Sequence, residues 1–203
     1  KALGSKKVYT LIMPSDTNTK EDLKLAKLVA KNLNLKSKIC NLQSIINSYQ
    51  KIIKIKNHKN IGNLKARIRM SILYTKANEL DALVLGTGNK SEITIGYFTK
   101  YGDGGADILP IGDLYKTEVK ELAKYLGVPR EIIDRPPTAG LWAGQTDEGE
   151  MGITYEKLDK ILKAIEKNKN LQKFNKKEVK KIKKMIKNTE HKRKLPPICN
   201  LSS

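Results

Sequence analysis

Apolar and polar positions follow two rhythms along this chain, and the changes of rhythm divide it into elements. Residues 8–13 (Val-Tyr-Thr-Leu-Ile-Met) are a short β-branched and apolar run, which predicts a strand. Apolar residues then recur at Leu23, Leu25, Ala26, Leu28, Val29 and Leu33, which predicts a helix over 20–33. A second short strand is expected over 38–42. A polar stretch at 50–60 separates it from a helix over 61–79, one side of which is marked by Leu64, Ile68, Ile72 and Ala77. Strands are expected over 81–85 and 107–111, then a helix over 116–126 closed by Gly127 and Pro129. Residues 136–151 hold too many Gly, Pro and polar residues for a regular element, and a loop of that length has the character of a lid. Two lysine-rich helices are expected over 154–167 and 176–187.

Alternating strand and helix implies an α/β fold, a doubly wound parallel sheet covered by helices on both faces. The opening Lys1-Ala2-Leu3-Gly4 reads as the last turn of a helix with Gly as its left-handed cap, running into the strand at Val8. The expectation is therefore a chain that starts inside a βαβ unit, its first strand lying upstream.

Length and charge narrow the picture. The 203 residues suit one domain, 1–203, with 154–190 as its lysine-rich helical part. The absence of a long apolar run and of a signal-peptide pattern suggests a soluble, cytoplasmic protein. Cys40 and Cys199 are too few for a disulfide framework or a zinc pattern. The net charge is +19, and residues 160–194 hold 15 Lys or Arg against three acids. Such a face is read as solvated helix surface, as steering for anionic small molecules, or as a nucleic-acid surface. The last is disfavoured by aromatic poverty, since only Phe174 could stack on a base between Lys157 and Lys194.

Chemistry is concentrated in Leu85-Gly86-Thr87-Gly88-Asn89-Lys90-Ser91-Glu92 and in Gly96-Tyr97-Phe98-Thr99-Lys100-Tyr101-Gly102-Asp103-Gly104-Gly105-Ala106-Asp107. A predicted strand ends there in a glycine-rich turn, the place where open α/β sheets bind ligands and where backbone approaches phosphate. Each residue also has an ordinary reading. Arg67 reads as a surface charge, Thr87 and Glu92 as a helix cap and first-turn acid, residues 102–105 as a flexible turn, and His191 as part of a basic tail. Trp142 reads equally as a packing anchor or a lid residue. Lys116 sits in the first turn of a helix, where the dipole disfavours a cation, and that points toward a ligand role.

Together with Gly62-Asn63-Leu64-Lys65-Ala66-Arg67, Pro137-Thr138-Ala139-Gly140-Leu141, Gln145-Thr146-Asp147-Glu148 and His191-Lys192-Arg193, these segments resemble the NAD+ synthetase family, ammonia-dependent type. The resemblance implies an adenine nucleotide alpha hydrolase-like (Rossmann-like) fold and a homodimer. It implies ATP-dependent amidation of deamido-NAD+ through an acyl-adenylate, with ammonia as donor and AMP and pyrophosphate released. It implies ATP contacts at Thr87, Lys116 and Thr138, deamido-NAD+ contacts at Arg67, Lys100, Asp107, His191 and Lys192, and Mg2+ at Glu92. The family's Ser-Gly-Gly-x-Asp-Ser phosphate loop is not in the sequence and is expected upstream of Lys1. Two alternatives stay open: the synthetase part of a glutamine-dependent enzyme, and a non-catalytic basic module that binds nucleic acid.

Overall fold

Local signals place the first strands and helices. The computed structural model describes residues 1–199 and Leu201, which divide into two compact units: Lys1–Val84 with Asp134–Glu150, and Leu85–Ile133 with the residues from Met151 on.

In the first unit, β1 (Tyr9–Ile12) and β2 (Lys36–Ile39) pair in parallel, with Tyr9 opposite Lys36 and Ile12 opposite Ile39. The crossover is α1 (Lys20–Asn32). It starts at a capping box in which the Thr19 hydroxyl accepts from the Asp22 amide at 3.1 Å and the Asp22 carboxylate accepts from the Thr19 amide at 2.7 Å. β2 lies earlier than expected because Asn34, at φ 50°, turns the chain directly after α1. Next comes α2 (Gln43–Ile53), which the sequence reading did not include. A long α3 (His58–Leu80) follows, whose start is capped by the Asn57 side chain. Leu42, Ile46 and Ile68 form the core of this unit, flanked by Met13, Ile61, Leu64 and Ile72. The expected helical turn at the start is not formed. Gly4 does take a positive φ, of 76°, but it leads into a short 3-10 turn, Ser5–Lys7.

In the second unit, the strands expected over 81–85 and 107–111 shrink to one parallel bridge between Leu85 and Ile108 among the described residues. Asp81, at φ 48°, is still turning out of α3, and Pro110 has no amide to extend a ladder. The helices are α4 (Lys90–Ile95), α5 (Lys116–Tyr125), the short α6 (Arg130–Ile133) and α7 (Asp147–Met151), then α8 (Tyr155–Glu166) and α9 (Lys176–Asn188). α7 falls inside the expected loop, and all of it but Met151 belongs to the first unit. The core is built on Ile95, Tyr115, Met151, Tyr155, Leu158, Ile161, Leu162 and Ile182. α9 turns Val179, Ile182, Met185 and Ile186 inward, so its lysines are exposed. Burying Ile182 fully contributes about 1.5–3 kcal/mol. Phe174 packs against the same core. Among the described residues no helix is long and apolar enough to cross a membrane.

Candidate functional site

The glycine-rich turn after Leu85 exists because two chain segments come close. A Cβ on Gly86 would lie 2.6 Å from both the Ala106 Cβ and Leu109 Cδ2, and the Gly86 amide donates to the Ile108 carbonyl at 2.8 Å. The turn ends at Asn89, whose side chain accepts from the Glu92 amide at 3.1 Å while Glu92 Oε2 accepts from the Asn89 amide at 3.2 Å. Glu92 is thus the capping acid its ordinary reading required. It is also more than that. Its other oxygen, Oε1, accepts from Lys116 Nζ at 2.8 Å and from the Tyr155 hydroxyl at 3.4 Å.

Lys116 is the first residue of α5, where the helix dipole opposes a cation. Its ammonium is held there by Glu92 and by the face of the Tyr155 ring, 5.2 Å from the ring centroid. The Glu92 and Lys116 side chains are 16% and 28% exposed, so the pair lies at a half-buried edge that a ligand can reach. A carboxylate and an ammonium fixed side by side after a glycine turn suit a polyphosphate with its counter-cation.

The residues after α4 are ordered by their own backbone. The Thr99 carbonyl accepts from the amides of Gly102 and Gly104, and the Asp103 carboxylate accepts from the Thr99 amide at 2.9 Å. Residues 102–105 are therefore a closed turn. A Cβ on Gly104 would lie 2.4 Å from the Phe98 ring. Lys100 stands over the Tyr101 ring at 5.2 Å. Thr87, Asp107 and His191 are exposed. Lys192 is engaged at the end of α4, where its ammonium donates to the carbonyls of Gly96 at 2.7 Å and Phe98 at 2.6 Å.

In the first unit, Arg67 is exposed on α3 and the Thr138 hydroxyl accepts from the Gly140 amide at 3.0 Å. Between them lies a feature the sequence reading passed over. Lys65, 2% exposed, donates to Asp16 Oδ1 at 2.8 Å, Thr17 Oγ1 at 3.2 Å and the Leu141 carbonyl at 3.4 Å. One turn on, Arg69 donates to the Met13 carbonyl at the end of β1, and burial lowers its pKa. The segment around Leu141 is held down further: Thr17 donates to the Gly140 carbonyl at 3.1 Å, and Trp142 stands edge-on to His58 at 5.1 Å. Trp142 is thus a packing anchor.

The structure brings Glu92 and Lys116 together and turns Lys192 toward backbone carbonyls. Sequence reading missed Lys65, Ser91, Tyr155 and Asp159. Lys65 lies inside the Gly62 to Arg67 segment that carries part of the resemblance, and Asp159 sits among Leu158, Ile161 and Leu162, an acid amid apolar positions. Those were the available signals.

The NH(3)-dependent NAD(+) synthetase of Archaeoglobus fulgidus is 48% identical over 204 residues, covering 99% of this chain and 81% of the relative. The solved NMN synthetase of Francisella tularensis superposes with a TM-score of 0.86 at 39% identity, covering 95% of this chain and 79% of that one. An NH3-dependent NAD synthetase from Campylobacter jejuni, solved with nitrate, gives 0.81 at 35% identity, covering 95% and 78%. The family model for NAD synthase matches residues 1–196, and the chain belongs to that family.

Proposed function

We propose that this chain is a ligase that amidates deamido-NAD+ to NAD+ with ATP and ammonia. A carboxylate is a poor electrophile, so the reaction runs in two parts. An oxygen of the nicotinate carboxylate attacks the α-phosphorus of ATP and pyrophosphate leaves. Ammonia then attacks the acyl carbon, loses a proton and expels AMP. The observation that carries this reading is the Lys116 ammonium, anchored 2.8 Å from Glu92 at the start of α5. It is a fixed cation for the polyphosphate whose charge grows on the leaving group.

Thr87 and Thr138 join Lys116 as ATP contacts, and Arg67, Lys100, Asp107 and His191 bind deamido-NAD+. For Lys192 the geometry favours an indirect part, fastening residues 96–98 on the approach to Lys100. Glu92 offers one carboxylate, which suits Mg2+, a cation that prefers few protein oxygens beside phosphate and water. When bound, the ion neutralises polyphosphate charge. We also propose a homodimer. It is favoured by α2, which exposes Ile45, Tyr49, Ile52 and Ile53 along one side, Ile52 by 78%.

The test is NAD+ formation from deamido-NAD+, with ammonium or glutamine as donor and nicotinate mononucleotide as a second acid. Turnover is expected with ammonium and deamido-NAD+. Glu92→Gln keeps an acceptor for the Asn89 amide, so the fold should persist while turnover falls by roughly a hundredfold. Unchanged turnover removes Glu92 from the site, and no NAD+ with either donor from protein that carries the phosphate loop overturns the function.

A further inference from the structure

α5 begins without a short capping side chain of its own. Its N-cap is Tyr115, and Glu118 reaches back only to the Tyr115 amide, at 2.9 Å. The next two donors are met from elsewhere in the chain. The Lys116 amide donates to Ser91 Oγ at 2.9 Å, and the Thr117 amide donates to Asp159 Oδ2 at 2.9 Å. Ser91 in turn donates its hydroxyl proton to Asp159 Oδ1 at 2.5 Å. Ser91 is 0% and Asp159 2% exposed, so no solvent stands in for either. The carboxylate also lies at the positive end of the α5 dipole.

We propose that Asp159 is a positioning residue for the Glu92–Lys116 site, acting through the first turn of α5; this rests on the reading of that pair given above. The node joins three helices at the residues that matter. α4 contributes Ser91, adjacent to Glu92. α5 contributes the backbone of Lys116. α8 contributes Asp159 and, one turn earlier on the same face, Tyr155, whose hydroxyl meets Glu92 and whose ring lies beneath the Lys116 ammonium. A lysine side chain has a flexible four-carbon stem, so its charge is only as well placed as its root. Asp159 fixes the root, and Tyr155 and Glu92 fix the tip. Loosening the root should weaken the hold on ATP and leave the hold on the acid substrate nearly as it was.

Asp159→Asn, Ser91→Ala and, as a purely structural control, Leu158→Ala are to be compared with the unaltered full chain. ATP affinity is read by calorimetry, KM for ATP and deamido-NAD+ by turnover, and the α5 first turn by amide hydrogen exchange over 115–119. Asp159→Asn should raise the Kd and KM for ATP roughly tenfold, change the KM for deamido-NAD+ by less than about twofold, and speed exchange. Ser91→Ala should follow the same pattern, and Leu158→Ala should lower Tm with the ratio of the two KM values kept. Equal shifts in both KM values, or an ATP affinity untouched in both node variants, overturns the proposal. If Asp159→Asn fails to fold, Ser91→Ala decides alone. If protein that carries the phosphate loop makes no NAD+, the functional reading fails, and calorimetry and exchange still decide the anchor.

Discussion

Among the described residues, Lys65 in the first unit and Asp159 in the second are each only 2% exposed, and the two are opposite in sign and in what they gather. Lys65 collects oxygens from irregular chain: a carboxylate and a hydroxyl in the segment after β1, and the Leu141 carbonyl. Asp159 collects hydrogens: the Ser91 hydroxyl and an amide at the start of α5. Unengaged acceptors are found in loops and unengaged donors at helix starts, so a buried cation ties loops and a buried anion ties helices. The surroundings differ as well. The Asp16 side chain that pairs with Lys65 is 57% exposed, whereas Ser91 beside Asp159 is fully buried.

That contrast sets the order of stability losses. Asp159→Ala strands a buried amide and a buried hydroxyl and should cost about 3 kcal/mol by denaturant titration. Lys65→Met should cost less, about 1–2 kcal/mol, because Asp16 can recover water. Its larger effect should be local, seen as faster proteolysis within 136–145. If Lys65→Met proves the costlier of the two, exposure of the partner is not what separates them.

α1, α3, α5, α8 and α9 were legible and lie within a few residues of their expected bounds. α2 was not, although Ile45, Ile46, Tyr49, Ile52 and Ile53 have helical spacing, because the polar run from Gln50 and the β-branched content masked it. The strands expected at 81–85 and 107–111 had the right residues, but only Leu85 and Ile108 pair, and pairing is a tertiary fact. The site divides in the same way. Glu92 and Lys116 are site candidates that the resemblance implies, and the structure adds their contact. Asp159 was not legible, since it meets the Thr117 amide across a separation of 42 residues, which no local pattern records.

Helix starts sharpen the comparison further. α1 is capped from within by Thr19 and Asp22, and α5 from without by Ser91 and Asp159. Thr19→Ala should therefore cost about 1 kcal/mol, the ordinary value of a local cap, and leave ATP affinity alone. A loss as large as that of Asp159→Ala would show that local and remote caps are equivalent here.

The smallest effect concerns acid. In the first unit, burial pushes the Asp22 carboxyl up, but the Thr19 amide and the Arg135 guanidinium outweigh it and hold the group below its usual range. In the second, the Lys163 ammonium and then the Tyr115 amide hold Glu118 down. A carboxyl whose pKa is lowered on folding stabilises the protein above its unfolded value, about 3.9 for Asp and 4.3 for Glu, and that contribution disappears as the pH falls through the folded value. Stability curves of the native chain and of Asp22→Asn or Glu118→Gln should therefore run parallel above about pH 5 and converge as the pH falls below about 4. The Asp22 side chain is 25% exposed and Glu118 41%, so water screens the second more and its gap should be the narrower. A gap that widens toward acid would mean that these carboxyls are held above their unfolded values, and the sign of the argument would reverse.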